Sequence, residues 1–269
     1  TGEAKYADIM ELVMYNSLLS GVSLDGKRYF YTNPLCVRHD LPYTLRWSKD
    51  REEYISYCNC CPPNTLRTIA EIKDYIYSLS DKGIFINFYG SNKLNTNLND
   101  GTSIGMTQYT DYPWDGKITI TLNKVLDKEW SVFLRIPGWC DKANVRINQK
   151  SSGMSLPPGK YYEIRRRWRA GDVIELNLHM DVKLLEAHPL VEETRNQVAI
   201  KRGPIVYCLE SADLPDSLRI TDIIIPSDIS FRPLPCKIAN SELMCLEGRA
   251  LAIKNPGWQN TLYREISGK

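Results

Sequence analysis

Histidine is scarce in this chain, with three in 269 residues. His179 and His188 stand alone and read as surface or packed residues rather than ligands, and no HxxxH or second CxxC pair is present to complete a structural zinc motif. Charge imbalance is also lacking. The formal net charge of +2 gives no electrostatic case for nucleic acid or an anionic membrane. The one basic cluster, Arg165-Arg166-Arg167-Trp168-Arg169, reads as a solvated strand edge. No apolar run approaches the length of a membrane span. No fixed-period repeat and no low-complexity tract occurs. Eight cysteines are modest for this length, and five of them (Cys36, Cys140, Cys208, Cys236, Cys245) are scattered, unlike a small secreted disulfide scaffold. Thr1 opens on a helix-like pattern without a signal peptide or an initial methionine. The expectation is a processed or trimmed piece, with the compartment, cytoplasmic or periplasmic, left open. A hydrophobic fraction of 43% and a charged fraction of 25% are those of an ordinary globular chain, long enough for about two domains.

What is present is concentrated at Tyr57-Cys58-Asn59-Cys60-Cys61-Pro62-Pro63-Asn64. Proline suits the first turn of a helix, where its missing N–H would find no partner anyway. Leu66, Ile69, Ile72, Ile76 and Leu79 then fall three or four apart, which predicts a helix over 64–80. Cys60 and Cys61 therefore stand at a helix N-terminus, where the dipole favours an anion and a thiol loses its proton more readily. A thiolate attacks carbon and also binds zinc, so the stretch offers a nucleophile, a metal half-site, or both. The competing reading is three small buried hydrophobes. Cys60 and Cys61, as neighbours, are poorly placed to bridge each other.

Upstream, residues 3–19 read as a helix apolar on all sides, which predicts a buried helix. Glu11 lies inside that pattern. It is either a structurally hydrogen-bonded carboxylate or an active-site one. Asp25-Gly26 marks a hairpin turn within 21–34. Residues 36–54 read as an irregular aromatic loop. After Ser80 short alternating runs follow one another, at 84–89, 117–122, 130–136, 144–148, 172–178, 197–202 and 204–209, which argues for β-sandwiches. The predicted division is 1–82 helical, 83–187 a β-sandwich, and 188–269 a second β-sandwich, possibly incomplete. Two apolar helices in some 80 residues make a marginal core and need further helices to pack on.

These residues carry a family resemblance. Cys58-Asn59-Cys60-Cys61-Pro62-Pro63-Asn64 resembles the Cys-Ala-Cys-Cys-Pro-Pro-Asn signature of glycoside hydrolase family 127, departing at Asn59. Leu24-Asp25-Gly26-Lys27, Tyr31-Thr32-Asn33-Pro34-Leu35, Tyr112-Pro113-Trp114-Asp115-Gly116, Leu134-Arg135-Ile136-Pro137-Gly138-Trp139 and Arg202-Gly203-Pro204-Ile205-Val206-Tyr207 are similar to its other motifs. The resemblance implies an α+β multidomain chain, the end of an (α/α)6 barrel followed by two β-sandwich domains. It implies a retaining β-L-arabinofuranosidase acting on arabinose-containing plant glycans. It also implies Cys60 as nucleophile and zinc ligand, Cys61 as zinc ligand, and Cys58 and Glu11 at the sugar. The family's acid/base glutamate and its Glu-x-Cys zinc ligands have no counterpart in this sequence.

Two other classes of function stand beside that one: a non-catalytic carbohydrate-binding β-sandwich module and a zinc-stapled structural domain. By itself the 269-residue chain is expected to be inactive, poor in zinc, and inclined to dimerise through residues 1–80, whose apolar helix faces lack partners.

Overall fold

The computed structural model describes residues 2–32, 50–53, 60–98, 100–151, 153, 156–238, 241–253 and 263. Cys58, and the expected aromatic loop apart from residues 50–53, lie outside the described residues. The architecture is mixed α and β, with many strands and few helices. Two compact units occur: residues 1–182 with 201–206, and residues 183–200 with 207–269.

The first unit opens with helix α1 (Ala4–Val13), which runs into a π-helical turn (Met14–Leu18) and a 3-10 turn (Leu19–Gly21). The expected helix over 3–19 is thus present, but its last third is wound differently. Only one of its sides is buried within this chain, in keeping with the expectation that its apolar faces lack partners here. Ala4, Ala7 and Glu11 are buried, while Tyr6, Ile9, Leu12 and Val13 are exposed. The Asp25-Gly26 turn forms as its sequence dictates. Gly26 takes φ 72°, its N–H bonds to Ser23 O, and Val22 bridges Tyr29. Strands β1 (Tyr29–Phe30) and β2 (Arg51–Glu52) pair antiparallel.

Helix α2 spans Cys61–Tyr75, with proline in its first turn. It ends earlier than the 64–80 stripe predicts. Tyr77-Ser78-Leu79-Ser80 also alternates with period two, and it pairs as β3 (Tyr77–Ser80) with β4 (Gly83–Ile86). Ile76 O takes the N–H of Asn87, and Asn87 Nδ2 bonds to Tyr75 O. The competing ladder supplies hydrogen bonds that a helix continuing to Ser80 would have to replace, and the local stripe cannot show that.

The remaining strands of this unit are β5 (Asn92–Asn97), β6 (Ser103–Thr110), β7 (Lys117–Lys124), β8 (Glu129–Ile136), β9 (Ala143–Ile147), β10 (Lys150–Ser151), β11 (Lys160–Arg167) and β12 (Val173–Leu178). They form a six-stranded sheet, β10-β9-β12-β7-β6-β5, and a four-stranded sheet, β11-β8-β4-β3. The two sheets share one apolar cluster. Ile84, Ile86, Val132, Leu134 and Ile136 come from the smaller sheet, and Ile104, Met106, Ile118, Ile120, Leu122, Ile174, Leu176 and Leu178 from the larger. Each is an alternate residue of its strand, and a fully buried aliphatic side chain contributes about 1.5–3 kcal/mol. Trp168 packs 5.9 Å from Trp130 and donates its Nε1–H to the Trp130 carbonyl. The first three residues of the arginine-rich run, Arg165 to Arg167, end β11, an edge strand, as the composition suggests.

The other face of β8 carries Ser131, Phe133 and Arg135, all buried. Phe133 stacks on Phe85 at 4.0 Å, and Arg135 turns to α1.

Strands β13 (Val182–Glu186), β14 (Val198–Arg202) and β15 (Ile205–Tyr207) make a three-stranded sheet. In the second unit β16 (Ile223–Ile224) pairs with β19 (Leu251–Ala252), and β17 (Arg232–Ile238) pairs with β18 (Ser241–Glu247). The β17–β18 hairpin is crossed by a Cys236–Cys245 disulfide, a pairing the scattered cysteine spacing did not suggest. None of the described hydrophobic side chains of this unit is buried as those of the two-sheet core are.

Candidate active site

The structure brings Cys60 and Cys61 together at the start of α2, their Sγ atoms 3.8 Å apart. Cys60 occupies the N-cap position. Its carbonyl accepts both the backbone N–H of Asn64, at 3.3 Å, and Asn64 Nδ2, at 2.9 Å. The Asn64 carbonyl accepts Thr68 Oγ1, and its Oδ1 accepts Arg67 Nη2. Asn64 therefore fixes the turn that presents the cysteines, a role the motif's spacing did not reveal. Neither cysteine is in a disulfide; Cys60 is exposed and Cys61 half-buried. Two thiolates on one tetrahedral zinc, each about 2.3 Å from the metal, would sit about 3.8 Å apart. The pair thus fits half of such a site. Among the described residues no group of three histidine, cysteine or acidic side chains gathers to hold a metal.

Glu11 is held elsewhere, by α1, and is 1% exposed. Its Oε1 accepts the Tyr112 hydroxyl at 2.6 Å and Arg135 Nη2 at 2.5 Å. Its Oε2 accepts Arg135 Nη1 at 3.3 Å and Trp139 Nε1 at 3.2 Å. One turn earlier Asp8 takes Arg135 Nη1 at 2.5 Å through Oδ1, and the Gly138 N–H through Oδ2. Arg135 Nε donates to Asn87 O at 2.5 Å. Of the two roles the sequence leaves open for Glu11, this geometry favours the hydrogen-bonded structural carboxylate.

The electrostatics agree. Burial, the largest single influence, would lower the Arg135 pKa, but the Glu11 charge and hydrogen bond together with Tyr112 and Tyr89 outweigh it and the net shift is upward. Burial, then the Glu11 charge, raises Tyr112 and Tyr15 far above the ordinary phenol value, so Tyr112 stays protonated as a donor. The signal for this cluster was legible in part. Arg135 interrupts an otherwise apolar strand, Val132-Phe133-Leu134-Arg135-Ile136, and a buried charge needs partners.

Just past α1, Asn16 in the π-helical turn acts like the backbone of a neighbouring strand. Its Nδ2 donates to Pro204 O at 2.9 Å, and its Oδ1 accepts the Val206 N–H at 2.7 Å. Arg202 Nη1 bonds to Trp114 O at 3.0 Å. The motifs at 112–116, 134–139 and 202–207 thus serve to hold α1 and the strands around it.

With that geometry in place, three consecutive family profiles match nearly the whole chain. They are the β-L-arabinofuranosidase catalytic domain of glycoside hydrolase family 127 at 1–74, the middle domain at 83–180 and the C-terminal domain at 182–253. The chain belongs to glycoside hydrolase family 127. It is 34% identical over 243 residues to a non-reducing end β-L-arabinofuranosidase of Bifidobacterium longum subsp. longum, a match that covers 84% of this chain and 35% of that one. A solved structure described as a glycoside hydrolase is similar at TM-score 0.93 and 51% identity, over 100% of this chain and 44% of the other. A family 127 β-L-arabinofuranosidase from Geobacillus stearothermophilus is similar at TM-score 0.85 and 36% identity, over 98% and 42%. The chain therefore spans well under half the length of these relatives.

Proposed function

We propose that this chain is part of a retaining glycoside hydrolase of the β-L-arabinofuranosidase kind, acting on arabinose-containing glycans, with Cys60 as its nucleophile. The observation that carries the reading is the pair of thiols 3.8 Å apart at a helix start, in a chain matched by family 127 profiles over nearly its whole length. In the proposed reaction Cys60 Sγ forms a bond to the anomeric carbon as the bond to the aglycone oxygen breaks. A carboxylic acid protonates that oxygen, and its conjugate base then draws a proton from the water that displaces the sulfur. We assign that acid outside residues 1–269 on the family resemblance, whose acid/base glutamate has no counterpart in this sequence; among the described residues no acidic side chains gather with the cysteines as a metal-holding group. Cys60 and Cys61 would hold a zinc ion, which when bound would keep the thiols deprotonated near neutral pH. Cys58 is assigned to the sugar pocket on the family signature. The resemblance puts Glu11 at the sugar, whereas its bonds to Tyr112, Arg135 and Trp139 support an anchoring role for α1.

The two-sheet unit fits a β-sandwich, and the exposed stripes on α1 and α2 fit helices taken from an (α/α)6 barrel. Leu66 and Ile69 of α2 are exposed, as are Ile9 and Leu12 of α1. Further helices would cover them. The test is Cys60→Ser in the complete protein, assayed on an aryl β-L-arabinofuranoside. Turnover should vanish while the circular dichroism spectrum stays unchanged, and wild-type turnover in the variant would end the assignment.

A further inference from the structure

The buried face of α1 is made of Ala4, Ala7 and Glu11. Two methyl groups specify the rotation of a helix weakly, since they offer no ridge for a groove to grip. The Glu11 carboxylate, with Asp8 beside it, is what distinguishes one rotation from another. Arg135 Nε is tied to Asn87 O just past β4, while Nη1 and Nη2 reach carboxylates one helical turn apart. A guanidinium is planar and its donors diverge at fixed angles, so one side chain fixes both the rotation and the axial position of α1 against β8. The Gly138 N–H on Asp8 and the Tyr112 and Trp139 donors on Glu11 complete the cradle. A buried ion cluster of this kind is seldom better for stability than apolar residues of the same shape, and its best-attested use is to select one arrangement among several.

From this we infer that Arg135 is a positioning residue of the proposed active site: through Asp8 and Glu11 it sets the orientation in which α1 presents its opposite face, Tyr6, Ile9 and Val13, to the helices that complete the catalytic domain. The inference rests on the proposed function for its link to turnover and on the geometry alone for its link to α1. Arg135 touches no reacting atom in this account.

The test pairs Arg135→Met with Glu11→Gln, which removes both buried charges and keeps one acceptor oxygen for Tyr112. In the 269-residue chain the paired variant should melt close to the wild-type temperature, yet exchange the amide hydrogens of residues 4–13 faster. In the complete protein its kcat should fall about ten- to a hundredfold with little change in KM. Arg135→Lys, which keeps charge but loses the fork, should fall between the two. Unchanged exchange in α1 at an unchanged melting temperature would overturn the inference, as would wild-type kcat in the paired variant. A wild-type protein without arabinofuranosidase turnover would instead count against the proposed function, and the exchange measurement would still decide the role of Arg135.

Discussion

Tyr112→Phe removes one oxygen and leaves the rest of the buried cluster in place. The ring keeps its contacts with Tyr15 and Tyr89, at 6.3 Å and 5.9 Å between centroids. What goes is the O–H bond to Glu11 Oε1, 2.6 Å long and fully buried. A hydrogen bond to a charged acceptor contributes about 1.5–3 kcal/mol. Glu11 retains Arg135 and Trp139, which places the expected loss near the middle of that range, about 2 kcal/mol. For a cooperative unit of this size each kcal/mol moves the midpoint by about 2–4 °C, so Tm should drop by roughly 4–8 °C. Tyr161→Phe is the internal control. Its hydroxyl donates to Asn87 Oδ1 at 2.7 Å, a neutral acceptor in a half-buried place, for which about 0.5–1.5 kcal/mol is expected. Scanning calorimetry and urea denaturation at neutral pH give both numbers. A Tyr112→Phe variant no less stable than Tyr161→Phe would show that the Glu11 cluster is not desolvated as described.

Asp172 accepts from Asn148 Nδ2 and the Arg169 N–H and faces Arg166. Burial pushes its pKa up, but these partners together outweigh burial and hold it below the usual carboxylate range. Its contribution is therefore present above the unfolded pKa, near 4, and is lost as the pH falls through the folded value; urea midpoints should decline on acidification more steeply in wild type than in Asp172→Asn. The Cys236–Cys245 bond closes a short hairpin, and reduction should loosen it locally by about 2–3 kcal/mol. Amide exchange over 232–247 should quicken while exchange over 117–136 stays unchanged, and uniform acceleration across both regions would contradict an independent hairpin.

Much of this was legible because it is local. The alternation at 117–122 and 130–136 reports strands whose one face is buried, and β7 and β8 appear within two residues of those bounds. The Asp25-Gly26 turn and the Cys-Cys-Pro-Pro helix start depend on neighbouring residues and emerged as read. What failed to show was long-range. The helical stripe from Leu66 to Leu79 was cut at Tyr75 by a strand partner further along the chain. The Glu11–Arg135 pair joins residues from separate motifs, and sequence spacing carries no record of which charge meets which. The all-round apolar pattern of α1 shows that partners are needed, and its exposed side agrees with the expectation that the apolar helix faces lack them in this chain.

The passage from α2 to β3 takes one residue, Ile76. The helix that bears the thiols is thereby welded to a sheet edge rather than hinged from it. Family profiles draw a border between 74 and 83, yet mechanically no joint lies there: Ile76 O is gripped by the Asn87 N–H, and the Asn87 side chain holds Tyr75 O and Ser78 Oγ. A swing of the β-rich unit would drag the last turn of α2 with it. The last turn of α2 therefore shares the rigidity of the sheet, and a cut at this border would release the end by which the helix carrying Cys60 and Cys61 is held.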